Sequence, residues 1–206
     1  MKMKTKRKAL LLSLCAVLLV VASVMGTMAY LTSQDTVTNT FTVGKVEITL
    51  DEKDTDNSTP NADRDKANRY LLVPGEKYEK DPTVHVKPVS EDSYIFVKVE
   101  NGLADYEDAT STAEGGYKSI ADQIIANGWT KLDGVDNVYY REYSKVASTE
   151  TADTNLVVFE EFKLKDTANE VPGWNNLNVN ITITAYAIQM AGFENDPVAA
   201  WAEVGD

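Results

Sequence analysis

One histidine, His85, and one cysteine, Cys15, are all that this sequence offers to thiol, imidazole or zinc chemistry. A nucleophile needs a base beside it, and a tight zinc site needs two or three imidazoles or thiolates. One imidazole supplies neither. His85 stands between Val84 and Val86 in an alternating run, so it is expected on the polar face of a strand, in solvent. No GxSxG, HExxH or glycine-rich phosphate loop occurs. The run Asp51-Glu52-Lys53-Asp54-Thr55-Asp56-Asn57 offers hard oxygens for Ca²⁺, but it lacks the glycine and closing glutamate of an EF-hand loop and reads as a solvated acidic loop. A glycosidase pair cannot be picked out among the 32 acids, because carboxylate separation belongs to the fold. Tyr139, Tyr140 and Tyr143 share one hairpin. Aromatic strands can bind sugar rings, but cross-strand packing is their commoner use. These residues define no catalytic centre, metal site or cofactor site, and the chain reads as a non-enzyme.

The elements that would carry such residues are mostly strands. Apolar residues alternate on odd positions at Val37, Phe41 and Val43, then on even ones at Val46, Ile48 and Leu50, with the phase slipping at Gly44. Period two means strand, and a glycine at the slip marks a bulge or bend. Residues 51–68 lack apolar periodicity and read as an exposed loop. Residues 83–89 and 94–100 alternate again, and the short link from Pro88 to Ser93 suggests a hairpin-like connection. Ile120, Ala121, Ile124 and Ile125 at helical spacing, stopped by Asn127-Gly128, predict a short helix. Residues 129–132 and 138–143 flank Asp133-Gly134 as a hairpin, and residues 156–164 form a further strand. Residues 178–188 show the cleanest alternation and are expected to be central. From Asp196, with Pro197 at the first helical position, Val198, Trp201 and Ala202 predict a short C-terminal helix. Many short strands and few helices predict a mainly β chain, an antiparallel jelly-roll-like sandwich with one or two short helices.

The first 29 residues have another character. Lys2, Lys4, Lys6, Arg7 and Lys8 precede an apolar run from Ala9 to Met25, which closes on Gly26, Thr27 and Ala29. That order is a secretory signal peptide with cleavage between Ala29 and Tyr30. Left uncleaved, the leader is close to the roughly 20 residues that span a bilayer, the one route to membrane contact. Removing its five cations leaves 15 basic residues against 32 acidic ones, a net charge of −17 instead of −12. Such a surface repels nucleic acid and anionic membranes and favours basic partners. Cys15 leaves with the leader, so the secreted chain has no disulfide, which fits a Gram-positive surface.

The stretch Gly26-Thr27-Met28-Ala29-Tyr30-Leu31-Thr32, followed by Val37-Thr38-Asn39-Thr40-Phe41-Thr42-Val43-Gly44, resembles the SipW-dependent signal peptide and mature start of the TasA/camelysin family. Val73-Pro74-Gly75-Glu76, Asp81-Pro82-Thr83-Val84 and residues 94–100 are similar to later pieces of that family. The resemblance implies a dedicated signal peptidase, a jelly-roll sandwich and export to the biofilm matrix. It also implies self-association or assembly with related subunits by donor-strand exchange, a form of β-strand addition. Mapped onto this chain, the donor is residues 30–50, with Val37, Phe41, Val43, Val46 and Ile48 filling a neighbour's groove. Camelysins are also described as metalloproteases, and a lone His85 cannot build that zinc site. The expected organisation is a signal peptide at 1–29, a donor segment at 30–50, a β-domain at 51–195 and a C-terminal helix or tail at 196–206. The expected role is a secreted structural protein of the matrix. The alternative is a monomeric surface adhesin that binds Ca²⁺ or carbohydrate.

Overall fold

A computed structural model describes residues 14–18, 45–60, 62–110, 116–174, 179–193 and 195–204. The chain divides into a unit from Met1 to Thr42 and a unit from Val43 to Asp206. Of the first, only residues 14–18 are described, an exposed helical stretch (α1). No helix among the described residues is long and apolar enough to cross a membrane.

The second unit is mainly β. Its strands are β1 (Ile48–Lys53), β2 (Arg64–Asp65), β3 (Lys77–Glu79), β4 (Thr83–Val86), β5 (Ser93–Asn101), β6 (Thr130–Lys131), β7 (Val138–Tyr143), β8 (Thr154–Val157), β9 (Glu161–Lys163) and β10 (Ile181–Gln189). It also holds helices α2 (Ile120–Ala126) and α3 (Pro197–Val204) and a short 3₁₀ helix at Ala168–Glu170. One antiparallel sheet runs β2-β1-β4-β8, a second runs β10-β5-β7-β6, and β3 pairs with β9.

The strand β5 anchors the packing. Tyr94 and Phe96 point to one face and Ile95, Val97 and Val99 to the other, so both faces are apolar and both are buried. Ile95, Val97 and Val99 share a core with Val84, Val86 and Leu156 of the first sheet. Tyr94 and Phe96 join Leu132, Val138 and Ala200 in a separate cluster under α3. Trp201 of α3 packs its ring 5.3 Å from Phe96 and 5.1 Å from Tyr186.

Local chemistry explains the helices. The Ser119 side chain accepts from the Asp122 N–H at 3.1 Å, a standard N-cap, and Gly128 leaves the helix at φ +85°. The buried Glu107 carboxylate accepts from the Ile120 N–H at 2.5 Å and from Asn101 Nδ2 at 3.0 Å. Burial raises its pKa despite these bonds. In α3, Asp196 Oδ1 accepts from the Ala199 N–H at 2.9 Å.

Five expectations are corrected. Residues 88–93 form no hairpin link, because β4 and β5 belong to different sheets and the segment crosses between them. Residues 156–164 form two strands, β8 and β9, and not one. Val158 and Phe159 between them are both fully buried, so alternation fails there and the chain leaves the first sheet for the β3–β9 pair. The loop expected from residue 51 begins later, since Asp51, Glu52 and Lys53 continue β1. The strand expected to be central, β10, is at a sheet edge, bonded only to β5 among the described residues. On α3 the packed residues are Ala200, Trp201 and Val204, whereas Val198 is exposed.

Candidate functional site

The edges of β1 and β10 define the site. Residues Ile48 to Asp51 pair with β4 on one side. On the other side β2 takes only Glu52 and Lys53. The free edge of β1 and the free edge of β10 therefore have no strand partner among the described residues. They flank an opening of about 1220 Å³ with Ile48, Leu50, Phe162, Trp174, Ile181 and Ile183 among its walls. Ile48, Leu50, Ile181, Ile183, Ala185 and Ala187 all touch the main core, yet each is only half-buried. An unpaired edge beside incompletely buried apolar side chains is a template for another strand.

The even-position phase persists through β1: Ile48 and Leu50 face the core, and the next inward position is Glu52. Glu52 is buried at one end of the groove, where it meets the buried Lys80 ammonium. Near this end the Tyr70 hydroxyl donates to the Glu79 carbonyl at 3.0 Å. Burial, and next the charges of Glu52, Asp81 and Asp56, push that hydroxyl up to about 12, against a lowering contact with Thr55. Tyr70, Tyr78 and Phe162 form an aromatic wall, with Tyr78 stacked on Phe162 at 5.0 Å and Tyr70 edge-on to it at 5.4 Å.

His85 is not a solvated strand histidine. Its side chain is 14% exposed, because β8 lies beside β4 and brings Asn155 opposite it. Nε2 lies 2.9 Å from Asp51 Oδ1, and Nδ1 lies 2.7 Å from Asn155 Oδ1. Arg64 donates to Asp51 at 2.5 Å and to Asp81 at 2.7 Å. Burial opposes ionisation of Asp51, but the bonds from Arg64 and His85 outweigh it and hold that carboxyl below its ordinary range. The arrangement ties β1, β2, β4 and β8 together across their polar face. It presents no nucleophile to a substrate.

The acidic run behaves as a turn. Asp54, Asp56 and Asp65 bring carboxylate oxygens within 4.8 Å of one another. Asp54 accepts from the Ser58 and Thr59 N–H groups, Asp56 from the Arg69 N–H, and Asp65 from the Ser58 and Thr59 hydroxyls. Asp51 and Glu52, from the same run, are engaged elsewhere. The tyrosines of the β6–β7 hairpin pack inward: Tyr139 and Tyr143 are buried in the main core, and Tyr140 lies 6.1 Å from Tyr94 in the second cluster.

Of the residues expected to form a donor strand, Val37, Phe41 and Val43 lie outside the described residues, as do Ala29 and Tyr30 at the expected cleavage point. Val46 is half-buried just before β1, and Ile48 pairs with Val86 inside its own sheet. Glu52, Lys80, Phe162 and Trp174 were not anticipated at the site. The acid at an inward even position was a signal for Glu52. Set against family models, curated proteins and solved structures, the chain has no match.

Proposed function

We propose that this chain is an exported structural protein of the extracellular matrix, a jelly-roll-like sandwich that polymerises by strand addition. The observation that carries this reading is the groove between two strand edges that have no partner among the described residues, with half-buried Ile48, Leu50, Ile181 and Ile183 on its walls. The donor is residues 30–44 of a second copy, released by a signal peptidase cutting between Ala29 and Tyr30. The donor ends before β1 because the residues leading into β1 are already engaged: the Lys87 N–H donates to the Glu47 carbonyl at 2.9 Å, and the Glu91 N–H to the Lys45 carbonyl at 3.0 Å. Val37, Phe41 and Val43 fall on alternate positions of that segment and would occupy the gap beside Ile48, Leu50, Ile181 and Ile183. Each apolar side chain buried there contributes about 1.5–3 kcal/mol, and the backbone ladder adds specificity of direction.

The test is complementation. Protein starting at Lys45 should stay soluble and monomeric, and a synthetic peptide of residues 30–44 should bind it. Phe41→Asp in that peptide should abolish binding. Equal binding by the Asp peptide would sink the proposal. The adhesin alternative draws on the Asp54, Asp56 and Asp65 convergence, and a calorimetric Ca²⁺ signal lost in Asp56→Asn would favour it instead.

A further inference from the structure

The polar end of the groove holds three side chains whose arrangement suits a condensation reaction. Glu52 and Lys80 are 5% and 7% exposed. One oxygen of the Glu52 carboxylate, Oε2, accepts from Lys80 Nζ. The other, Oε1, accepts from Asn68 Nδ2 at 3.0 Å. A single carboxylate thus bridges an amine and a primary amide. The amide is held from every side. Nδ2 also donates to the Lys53 carbonyl at 2.8 Å. Oδ1 accepts from the Thr55 N–H at 2.6 Å, the Thr55 hydroxyl at 2.9 Å and the Asp56 N–H at 3.3 Å. Two backbone donors on Oδ1 fix which end of the amide is oxygen. The same three donors would receive the negative charge that grows on this oxygen if Cγ were attacked, the geometry of an oxyanion hole.

The geometry points to an intramolecular isopeptide bond between Lys80 and Asn68, formed by the chain itself with Glu52 as proton carrier. Glu52 takes a proton from the Lys80 ammonium, leaving a neutral amine. Nζ attacks Asn68 Cγ, and the Thr55 and Asp56 donors hold the oxyanion. Glu52 gives its proton to Nδ2 and recovers one from the attacking nitrogen. The Cγ–Nδ2 bond breaks, the Cγ–Nζ bond remains, and ammonia departs. Charge balances: a lysine cation and a glutamate anion become a neutral secondary amide and a neutral carboxylic acid. Neither oxidant nor reductant takes part.

Two considerations favour the reaction here. Burying two charges is costly even when they are paired, and the product removes both. Proton transfer and attack also benefit from reactants that the fold gathers on one carboxylate. The link would join the turn after β2 to the residue that follows β3, closing residues 68–80, β3 included, into a ring beside the groove. A chain whose only cysteine is Cys15 would gain in this way a covalent staple that needs no oxidising compartment. The inference stands on the three side chains and does not depend on the assembly reading.

The experiment is the intact mass of the full, purified chain under denaturing conditions, followed by peptide mapping. The expected mass is one ammonia below that of the sequence. Trypsin should then yield residues 67–69 attached to the peptide carrying an uncleaved Lys80. Glu52→Gln, which keeps the shape, should restore the full mass in protein whose circular dichroism matches the wild type. A wild-type chain at the full sequence mass overturns the proposal, since Glu52, Lys80 and Asn68 would then be a buried ion pair and a turn. A deficit that maps to Asn101-Gly102 or Asn127-Gly128, where succinimide formation also expels ammonia, overturns it equally.

Discussion

β5 and β10 are nine-residue neighbours, paired residue for residue from Ser93 opposite Gln189 to Asn101 opposite Ile181, and yet they have different fates. Six of the nine β5 residues are buried, whereas none of the nine in β10 is. Both have apolar residues at core-facing positions: Ile95, Val97 and Val99 in one, Ile183, Ala185 and Ala187 in the other. The difference is the neighbourhood. β5 has β10 on one side, β7 on the other, the first sheet beneath and α3 above. Among the described residues β10 has β5 alone as a strand partner, and it opens onto the groove. Hydrophobic sequence states what a strand can bury, and its neighbours decide what it does bury.

The largest expected effect tests that contrast directly. Phe96→Ala should cost about 3–5 kcal/mol, because a fully buried ring leaves a cavity. Ile183→Ala in dilute protein should cost about 1 kcal/mol, because its side chain is only half removed from water. Urea unfolding of both variants measures this, and equal losses would mean that the groove is already filled. Trp201→Ala comes next at about 2 kcal/mol. It strips the cover from Phe96 and Tyr186, so a dye that binds exposed apolar surface should respond to this variant and not to Ile183→Ala.

A smaller effect tests the polar face behind β1. Asp51 is held below the ordinary aspartate value of 3.8 by Arg64 and His85 against the cost of burial. Its contribution to stability is complete above 3.8 and is lost as the pH falls through that value toward the depressed native one. Asp51→Asn should lower stability at neutral pH by about 1.5 kcal/mol and flatten this acid limb. An unchanged acid limb would show that the ion cluster does not hold β1 in place. The smallest effect is Ser119→Ala, about 1 kcal/mol for one lost helix cap, read by thermal melting. It should leave the groove untouched.

The elements that sequence pattern revealed are those governed by local chemistry. Asn127 and Gly128 stop α2 because caps act on adjacent backbone groups. Asp133-Gly134 makes the β6–β7 turn for the same reason. What pattern did not reveal was pairing. The alternation of residues 178–188 shows that one face is apolar but says nothing about how many strands lie beside it, so β10 read as central. The link at residues 88–93 is short enough for a hairpin, but Tyr94 and Phe96 need an apolar cover of their own, and this takes β5 into the second sheet. At the site, Glu52 was legible as an acid on the inward phase of Ile48 and Leu50. Lys80 and Asn68 were not, because only the tertiary fold brings positions 52, 68 and 80 to one carboxylate.

The central claim, that the open edges of β1 and β10 accept the N-terminal segment of another copy, is tested most directly by light scattering during size exclusion on protein starting at Tyr30, in parallel with protein starting at Lys45. The account predicts growing polymers from the first and a stable monomer from the second, with polymer growth stopped by excess peptide of residues 30–44. A monomer from both, or polymers from both, would contradict it.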